Sequence, residues 1–378
     1  MSYFSIFITV LVILWGVFAK QSKGIARILL LLLFVLFAFE RTAEGDGDYA
    51  NYLISYQAIG DGSFWALESY EPLYLLFGYV GNFFHLSFDL ARGILCFFEI
   101  LVIYRSIKKL TSNTAFVLSL FFVFPALFDA ELFRWSMGFT FLMASFPYLI
   151  SAKDGVRKDV LKFIILVLCA SLAHASCFFF LLLLFVLIKN KKKRNILILS
   201  LGLALLFSSA IFYRILGYLP LGDSIQDKYH SETLSNWHGV IMVTARQLLV
   251  FVLSYVSLRQ YQGKFHSLNI ERSDSECTPL QRIVFDINII MLLIIPVSVY
   301  TSQVLRYMQI PLVLNYISCA KTIEQLPYKR NIIGLICLVI STIILLYMIF
   351  YASEGTMPVF LSHFREGYLI NLCSTLFR

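Results

Sequence analysis

Charge is scarce in this chain. Of its 378 residues only 14% are Asp, Glu, Lys or Arg, whereas 59% are hydrophobic, and mean hydropathy is +0.78. Soluble domains carry about 25% charged residues, so a water-soluble domain is excluded, and no linker is long enough to join one. Strand-like alternation is missing too. Runs such as Ile28–Phe39 are continuously apolar, which argues against a membrane β-barrel with its polar lumen positions. No internal repeat of fixed period is visible. The seven cysteines are odd in number and scattered, without a C-x-x-C pair, so neither a disulfide framework nor a zinc site is indicated; they read as small apolar packing residues. No basic n-region or small-residue cleavage site opens the chain, and Ser2–Ala19 reads as a retained first helix.

What is present is a succession of apolar runs long enough to span a bilayer. The expected fold is all-α: one polytopic transmembrane domain over residues 1–378 with about 11–13 transmembrane helices. The net charge of +8 is expected to report basic loops on one side of a membrane rather than nucleic-acid binding. Most of the 31 basic residues fall in clusters around Lys20–Arg27, Arg105–Lys109, Lys153–Lys162, Lys189–Arg194, Arg259–Arg282 and Lys321–Arg330. Placing all of these in the cytoplasm requires an even number of crossings between neighbours. Residues 25–39 then lead out and 90–104 lead back. Hairpins follow at 114–150, 195–258 and 283–320, with Asp129–Arg134 and Thr301–Arg306 at two of their tips. Two stretches resist this parity. Residues 71–88 are read as a re-entrant or interfacial helix. Residues 163–188 are read as two short helices meeting near His174, since broken helices are tolerated at membrane depth where they are buried in protein or line a wet cavity.

This topology puts an acidic loop (40–71), Arg134, His174 and Arg306 on the outer side, together with a second outer loop at 214–240. Charge at membrane depth is a functional candidate by default. The acidic loop carries Glu40, Glu44, Asp46, Asp48, Asp61, Glu68 and Glu71 against one base, Arg41. Outer loops often carry acids at little cost, so each acid alone also has a plain reading as a solvated residue. The turn Gly45-Asp46-Gly47-Asp48-Tyr49, with Tyr52 beyond it, offers hydrogen-bond acceptors and stacking surfaces suited to a sugar. It has the start of a Ca²⁺ loop but not the remaining ligands, and no metal is assigned. Glu71-Pro72 opens a helix, where a carboxylate is either a helix-end acid favoured by the dipole or a general base. Arg134 and Arg306 have two readings each. One is pairing with a nearby acid (Asp129 or Glu131 for Arg134) or snorkelling to headgroups. The other is phosphate clamping through the guanidinium fork. His174, between Ala173 and Ala175, is a packed residue, a proton acceptor or a phosphate ligand.

In order along the chain, Gly47-Asp48-Tyr49-Ala50-Asn51-Tyr52, Glu71-Pro72, Arg134, His174-Ala175-Ser176 and Arg306-Tyr307 resemble the EpsG/Wzy-type family of polysaccharide polymerases. The resemblance covers roughly residues 25–310. The chain departs from the family pattern at Arg134-Trp135, where Arg-Gln is common, and at His174-Ala175-Ser176, where His-Pro-Ser is common. The resemblance implies glycosyl transfer between oligosaccharide repeat units carried on undecaprenyl pyrophosphate, at the periplasmic face of the bacterial inner membrane. Arg134 and Arg306 would bind pyrophosphates. Glu71 or Asp48 would be the base, with His174 as alternative base or third phosphate ligand. Asp46, Tyr49, Tyr52 and Tyr307 would complete the substrate contacts. No cofactor is implied. The partners would be the lipid-linked oligosaccharides and the bilayer, with a chain-length regulator and a flippase as companion proteins. Rival readings are a lipid-linked oligosaccharide flippase, an O-antigen ligase and a membrane O-acyltransferase of sugars. The absence of paired repeats speaks against the transporter.

Overall fold

The computed structural model describes residues 2–19, 23–39, 48–63, 70–207, 237–267, 279–300, 304 and 306–351. Among these, every regular element is helical, and the chain is an all-α polytopic membrane protein. Three helical stretches, Gly239–Gln262, Leu280–Val297 and Pro327–Leu346, are both long and apolar enough to cross a bilayer. Others reach the length but carry charge. The helix Phe88–Leu110 has 23 residues and includes Arg92 and Glu99, and the helix Phe133–Lys153 has 21.

The chain divides into two compact units, Met1–Thr140 with Arg330–Arg378, and Phe141–Lys329. The first contains α1 (Ser2–Phe18), α2 (Lys23–Phe39), α3 (Asp48–Gly60), α4 (Pro72–Phe83), α5 (Phe88–Leu110), α6 (Thr114–Val123), α7 (Ala126–Glu131), the start of α8 (Phe133–Lys153) and, after the second unit, α15 (Arg330–Tyr351). Its centre is α6, buried from Thr114 to Phe122, against which α1, α2 and α15 pack. The α1–α6 approach is close because Gly16 has no side chain; a Cβ there would lie 1.9 Å from Ser119 Oγ.

Residues 40–71 are not simply a loop. The stretch contains α3, a helix whose Tyr52, Ser55, Tyr56 and Ile59 are buried at helical spacing. The acid-rich composition of the segment hides that period. α3 packs on α4, where Gly78 and Gly81 leave room for Ile59 and the Tyr56 ring. At 12 residues, α4 rises about 18 Å, too short to cross a hydrocarbon core of about 30 Å. A turn through Phe84 and His85 then leads into α5, capped at its start by Ser87 Oγ, which accepts from the Leu90 amide at 3.3 Å.

The second unit holds the rest of α8, α9 (Arg157–Ala173), a 3-10 helix (Ala175–Leu187), α10 (Lys191–Phe207), α11 (Trp237–Ser267), α12 (Leu280–Met291), α13 (Ile294–Val297) and α14 (Gln309–Gln325). The break expected near His174 is present. α9 ends there, and the 3-10 helix begins one residue later and packs back on α9. Thirteen residues of 3-10 helix is long for a geometry normally used in runs of three or four. Its far end is held by Lys153, which donates to the Val186 carbonyl. The described cysteines, Cys96, Cys169, Cys177, Cys319 and Cys337, are all free.

Interhelical hydrogen bonds join α11, α12 and α14, as expected where apolar surface alone gives helices little reason to associate in lipid. Asn288 Nδ2 donates to Asn315 Oδ1 at 2.8 Å, and Asn315 Nδ2 donates to the Val250 carbonyl at 2.6 Å. Ser257 Oγ lies 2.7 Å from Ser318 Oγ and 2.9 Å from Thr322 Oγ1. α10 is tied to α12 by a buried ion pair. Arg194 Nη2 donates to Asp286 Oδ1 at 3.0 Å, and Nη1 lies 2.8 Å from Oδ2, with the side chains 1% and 3% exposed. Removing one partner of such a pair leaves a buried charge, at a cost of about 3–5 kcal/mol. Asp286→Ala is therefore expected to lower the yield of folded protein from membranes sharply. Detergent size-exclusion profiles and thermal midpoints of the purified variant would measure the loss.

Candidate functional site

Two of the expected arginines, one in each unit, stand at the centre of a polar cluster. In the first, Glu71 sits at the start of α4. Its carbonyl accepts from the Tyr74 and Leu75 amides, while its side chain makes no capping bond. The carboxylate instead accepts from Arg134: Nη1 donates to Oε2 at 2.6 Å, with the Arg134 side chain 24% exposed and that of Glu71 7%. The two residues are 63 positions apart in sequence. Arg134 thus meets an acid from outside its own hairpin, Glu71. A charge-assisted contact this short is among the stronger hydrogen bonds available to a protein.

Aromatic rings surround the pair. The Arg134 guanidinium carbon lies 5.0 Å from the Tyr70 ring centre and 6.0 Å from that of Tyr52. Tyr52 in turn meets Tyr74 and Phe133 at 5.8 and 5.9 Å. Tyr74 Oη lies 2.8 Å from Ser55 Oγ and donates to the Tyr52 carbonyl at 3.1 Å. This mesh fixes α3, α4 and the start of α8 around the carboxylate. Asp48 occupies the first turn of α3, where a negative charge complements the helix dipole. Tyr49 donates its hydroxyl to Asp89 Oδ1 at 2.6 Å. Asp46 lies outside the described residues, as do residues 214–236 of the second outer loop.

In the second unit, His174 is 8% exposed at the junction of α9 and the 3-10 helix. Arg306 Nη1 lies 3.4 Å from its Nε2, and Ser176 Oγ lies 2.6 Å from its Nδ1. A guanidinium can only donate, so Nε2 accepts. A neutral ring then carries its proton on Nδ1 and donates to Ser176. Tyr307 stacks on Phe179, with ring centres 5.1 Å apart and planes at 23°, and meets Phe180 edge-on at 6.0 Å. These contacts pin the residue after Arg306 to the 3-10 helix that follows His174. The chain break at His174 and the Arg306-Tyr307 tip are therefore parts of one arrangement.

The structure also contains buried charge that is not among the expected site residues. Arg92 and Glu99, two turns apart on α5, are 2% and 3% exposed. The sequence carries a signal for both, since they interrupt an apolar run long enough to span the bilayer. Counting crossings by parity treats that run only as a crossing.

Helices of this length and apolarity, in two units that each hold an arginine beside a proton acceptor, define a polytopic membrane protein with polar chemistry held within its helical body. The chain matches the model of the EpsG family over residues 24–361 and belongs to that family, the Wzy-type polysaccharide polymerases. Membership supports a polysaccharide-polymerase type of function in general. Comparison with curated proteins and with solved structures found no match.

The stack under Tyr307 gives a test of its role. Tyr307→Phe keeps the ring contact and is expected to retain more polymer output than Tyr307→Ala. Tyr307→Ala removes a buried ring, a change that costs about 3–5 kcal/mol in well-packed cores, and is expected to reduce output at least tenfold per unit of membrane protein (roughly 1.4 kcal/mol per factor of ten). Polysaccharide gels normalised to immunoblots would separate the two.

Proposed function

We propose that this protein joins oligosaccharide repeat units carried on undecaprenyl pyrophosphate, by glycosyl transfer at the periplasmic face of the bacterial inner membrane. The observation that carries the reading is family membership over nearly the whole chain. The Glu71–Arg134 and His174–Arg306 contacts supply residue types that the chemistry needs.

In this reaction the bond from the anomeric carbon of the growing chain to its pyrophosphate oxygen breaks, and its electron pair leaves with the pyrophosphate. A hydroxyl at the non-reducing end of a new lipid-linked unit forms the glycosidic bond and gives up its proton. Both substrates carry a pyrophosphate, and the protein supplies two arginines, Arg134 and Arg306, to hold them. Donors aimed at charge that develops on a leaving group are usually the largest single catalytic contribution. Glu71 or Asp48 takes the proton; His174 is the alternative acceptor or a third phosphate ligand. Asp46, Tyr49, Tyr52 and Tyr307 complete the substrate contacts, and the polyprenyl tails lie along the apolar helices. A flippase delivers the lipid-linked units, and a chain-length regulator sets when synthesis stops.

The test is a gel of surface polysaccharide from a strain lacking the gene, complemented with wild type or with Arg306→Ala. Collapse of the ladder to a single repeat unit in the deletion strain, restored by wild type alone, is the expected result. An unchanged ladder in the deletion strain would remove the polymerase reading. Repeat units retained inside the cell would point to a flippase instead.

A further inference from the structure

Arg92 has no part in the reaction described above, yet it is one of the most deeply buried charges of the first unit, 2% exposed near the start of α5. Its Nη2 donates to the Ala130 carbonyl at 2.7 Å. Ala130 lies in the last turn of α7, where carbonyls have no partner within the helix and a basic side chain is a natural replacement. The Arg92 guanidinium carbon also lies 5.7 Å from the Phe133 ring centre and 5.8 Å from that of Tyr49. Phe133 is the residue before Arg134 and packs 5.9 Å from Tyr52, whose ring faces Arg134 at 6.0 Å.

Two arginines from α5 and α8 thus meet two tyrosines one turn apart on α3, with Phe133 packed between them. A second fastening comes from the same helix: Glu99 Oε2 accepts from Ser136 Oγ at 3.1 Å, and Ser136 is in the first turn of α8 beside Arg134. Tyr49 is itself fixed by its bond to Asp89 at the start of α5. The stretch that carries Arg134 is therefore held by α5 at Ala130, at Phe133 and at Ser136.

We propose that Arg92 is a positioning residue for polymerisation, setting the place of the Arg134 guanidinium by holding the α7–α8 tip and the Tyr49 ring at once. It acts through Arg134 and does not touch substrate. The Tyr-x-x-Tyr spacing of α3 then has a physical purpose, since it presents one ring to each arginine. This inference rests on the reading that Arg134 binds a lipid pyrophosphate.

The test uses the full chain in lipid nanodiscs with undecaprenyl pyrophosphate as the probe, alongside hydrogen exchange at residues 130–136. Arg92→Gln is expected to weaken probe binding about tenfold, the scale of coupling between residues that share a network. Arg92→Lys, which keeps a charge over Tyr49 and one donor for Ala130, is expected to recover part of that loss. In an Arg134→Ala background the further change Arg92→Gln is expected to add less than twofold, because its effect passes through the missing guanidinium. Losses that simply multiply, or unchanged binding in Arg92→Gln, would overturn the proposal. A purely structural role would lower folded yield alike in both backgrounds and show no rescue by lysine. Exchange at 130–136 is expected to quicken in Arg92→Gln without any probe, and unchanged protection there would also overturn it. Failure of the wild type to bind the probe would instead count against Arg134 as a pyrophosphate ligand, with the exchange result still deciding whether Arg92 sets the tip.

Discussion

Glu71→Ala and Arg134→Ala are each expected to abolish most polymer synthesis, and the double variant is expected to recover protein yield without recovering activity. The reason lies in what each single change leaves behind. Arg134→Ala strands a carboxylate that is 7% exposed, and Glu71→Ala strands a guanidinium that is 24% exposed. Breaking a fully buried pair costs about 3–5 kcal/mol. Partial exposure of Arg134 lets water take up some of the loss, so roughly 1–3 kcal/mol is the expected range here. Removing both partners takes away the uncompensated charge, and stability is expected to return to within about 1 kcal/mol of wild type.

Activity follows a different rule. If Arg134 stabilises charge on a departing pyrophosphate, its loss costs about 10²–10³ in turnover, and the double variant cannot restore it. Thermal midpoints of the purified proteins and ladder gels from complemented strains would be read together. A double variant that regains both stability and polymer would make the pair a structural fastening. A double variant that regains only stability places at least one of the two in the chemistry, and Arg134→Ala/Glu71→Asp then separates the roles.

Much of this arrangement is legible in the order of residues along the chain. Parity of crossings between basic clusters demands a break near His174, and α9 ends at that residue. The same argument demands that residues 71–88 not form a full span, and α4 stops at Phe83. Glu71-Pro72 marks a helix start because proline suits the first turn. Other features have no local signature. The partner of Arg134 comes from 63 residues away, and only the packing of α3 and α4 on the α7–α8 tip brings it there. α3 is hidden by the acids and glycines that flank it, although Tyr49, Tyr52, Tyr56 and Ile59 recur at the spacing of a helix face. The stacking of Tyr307 on Phe179 depends on the phase of a 3-10 helix, whereas an apolar run of that length suggests an α-helix. Arg92 and Glu99 stand apart from these cases, because the rule that flags charge in apolar spans applies to them directly.

Arg306→Lys is expected to insert and fold as the wild type does while losing roughly 10²-fold or more of polymer output. Lysine keeps the positive charge and can still donate to His174 Nε2, where Arg306 Nη1 now lies at 3.4 Å. The stacking of Tyr307 on Phe179, which fixes the tip, is untouched by the change. What lysine lacks is the planar fork that grips two phosphate oxygens at once. In the structure His174 takes one arm of that fork at Nε2, so if Arg306 binds a pyrophosphate as proposed, the phosphate either shares the guanidinium with the imidazole or draws it away. In the second case phosphate binding would free the His174 lone pair for the acceptor proton, and charge on the ligand would be coupled to the base. Arg306→Lys and His174→Gln should then be strongly non-additive in turnover. Full activity of Arg306→Lys at wild-type protein levels would remove the fork from the mechanism. Losses in the double variant equal to the product of the single losses would show that Arg306 and His174 act separately.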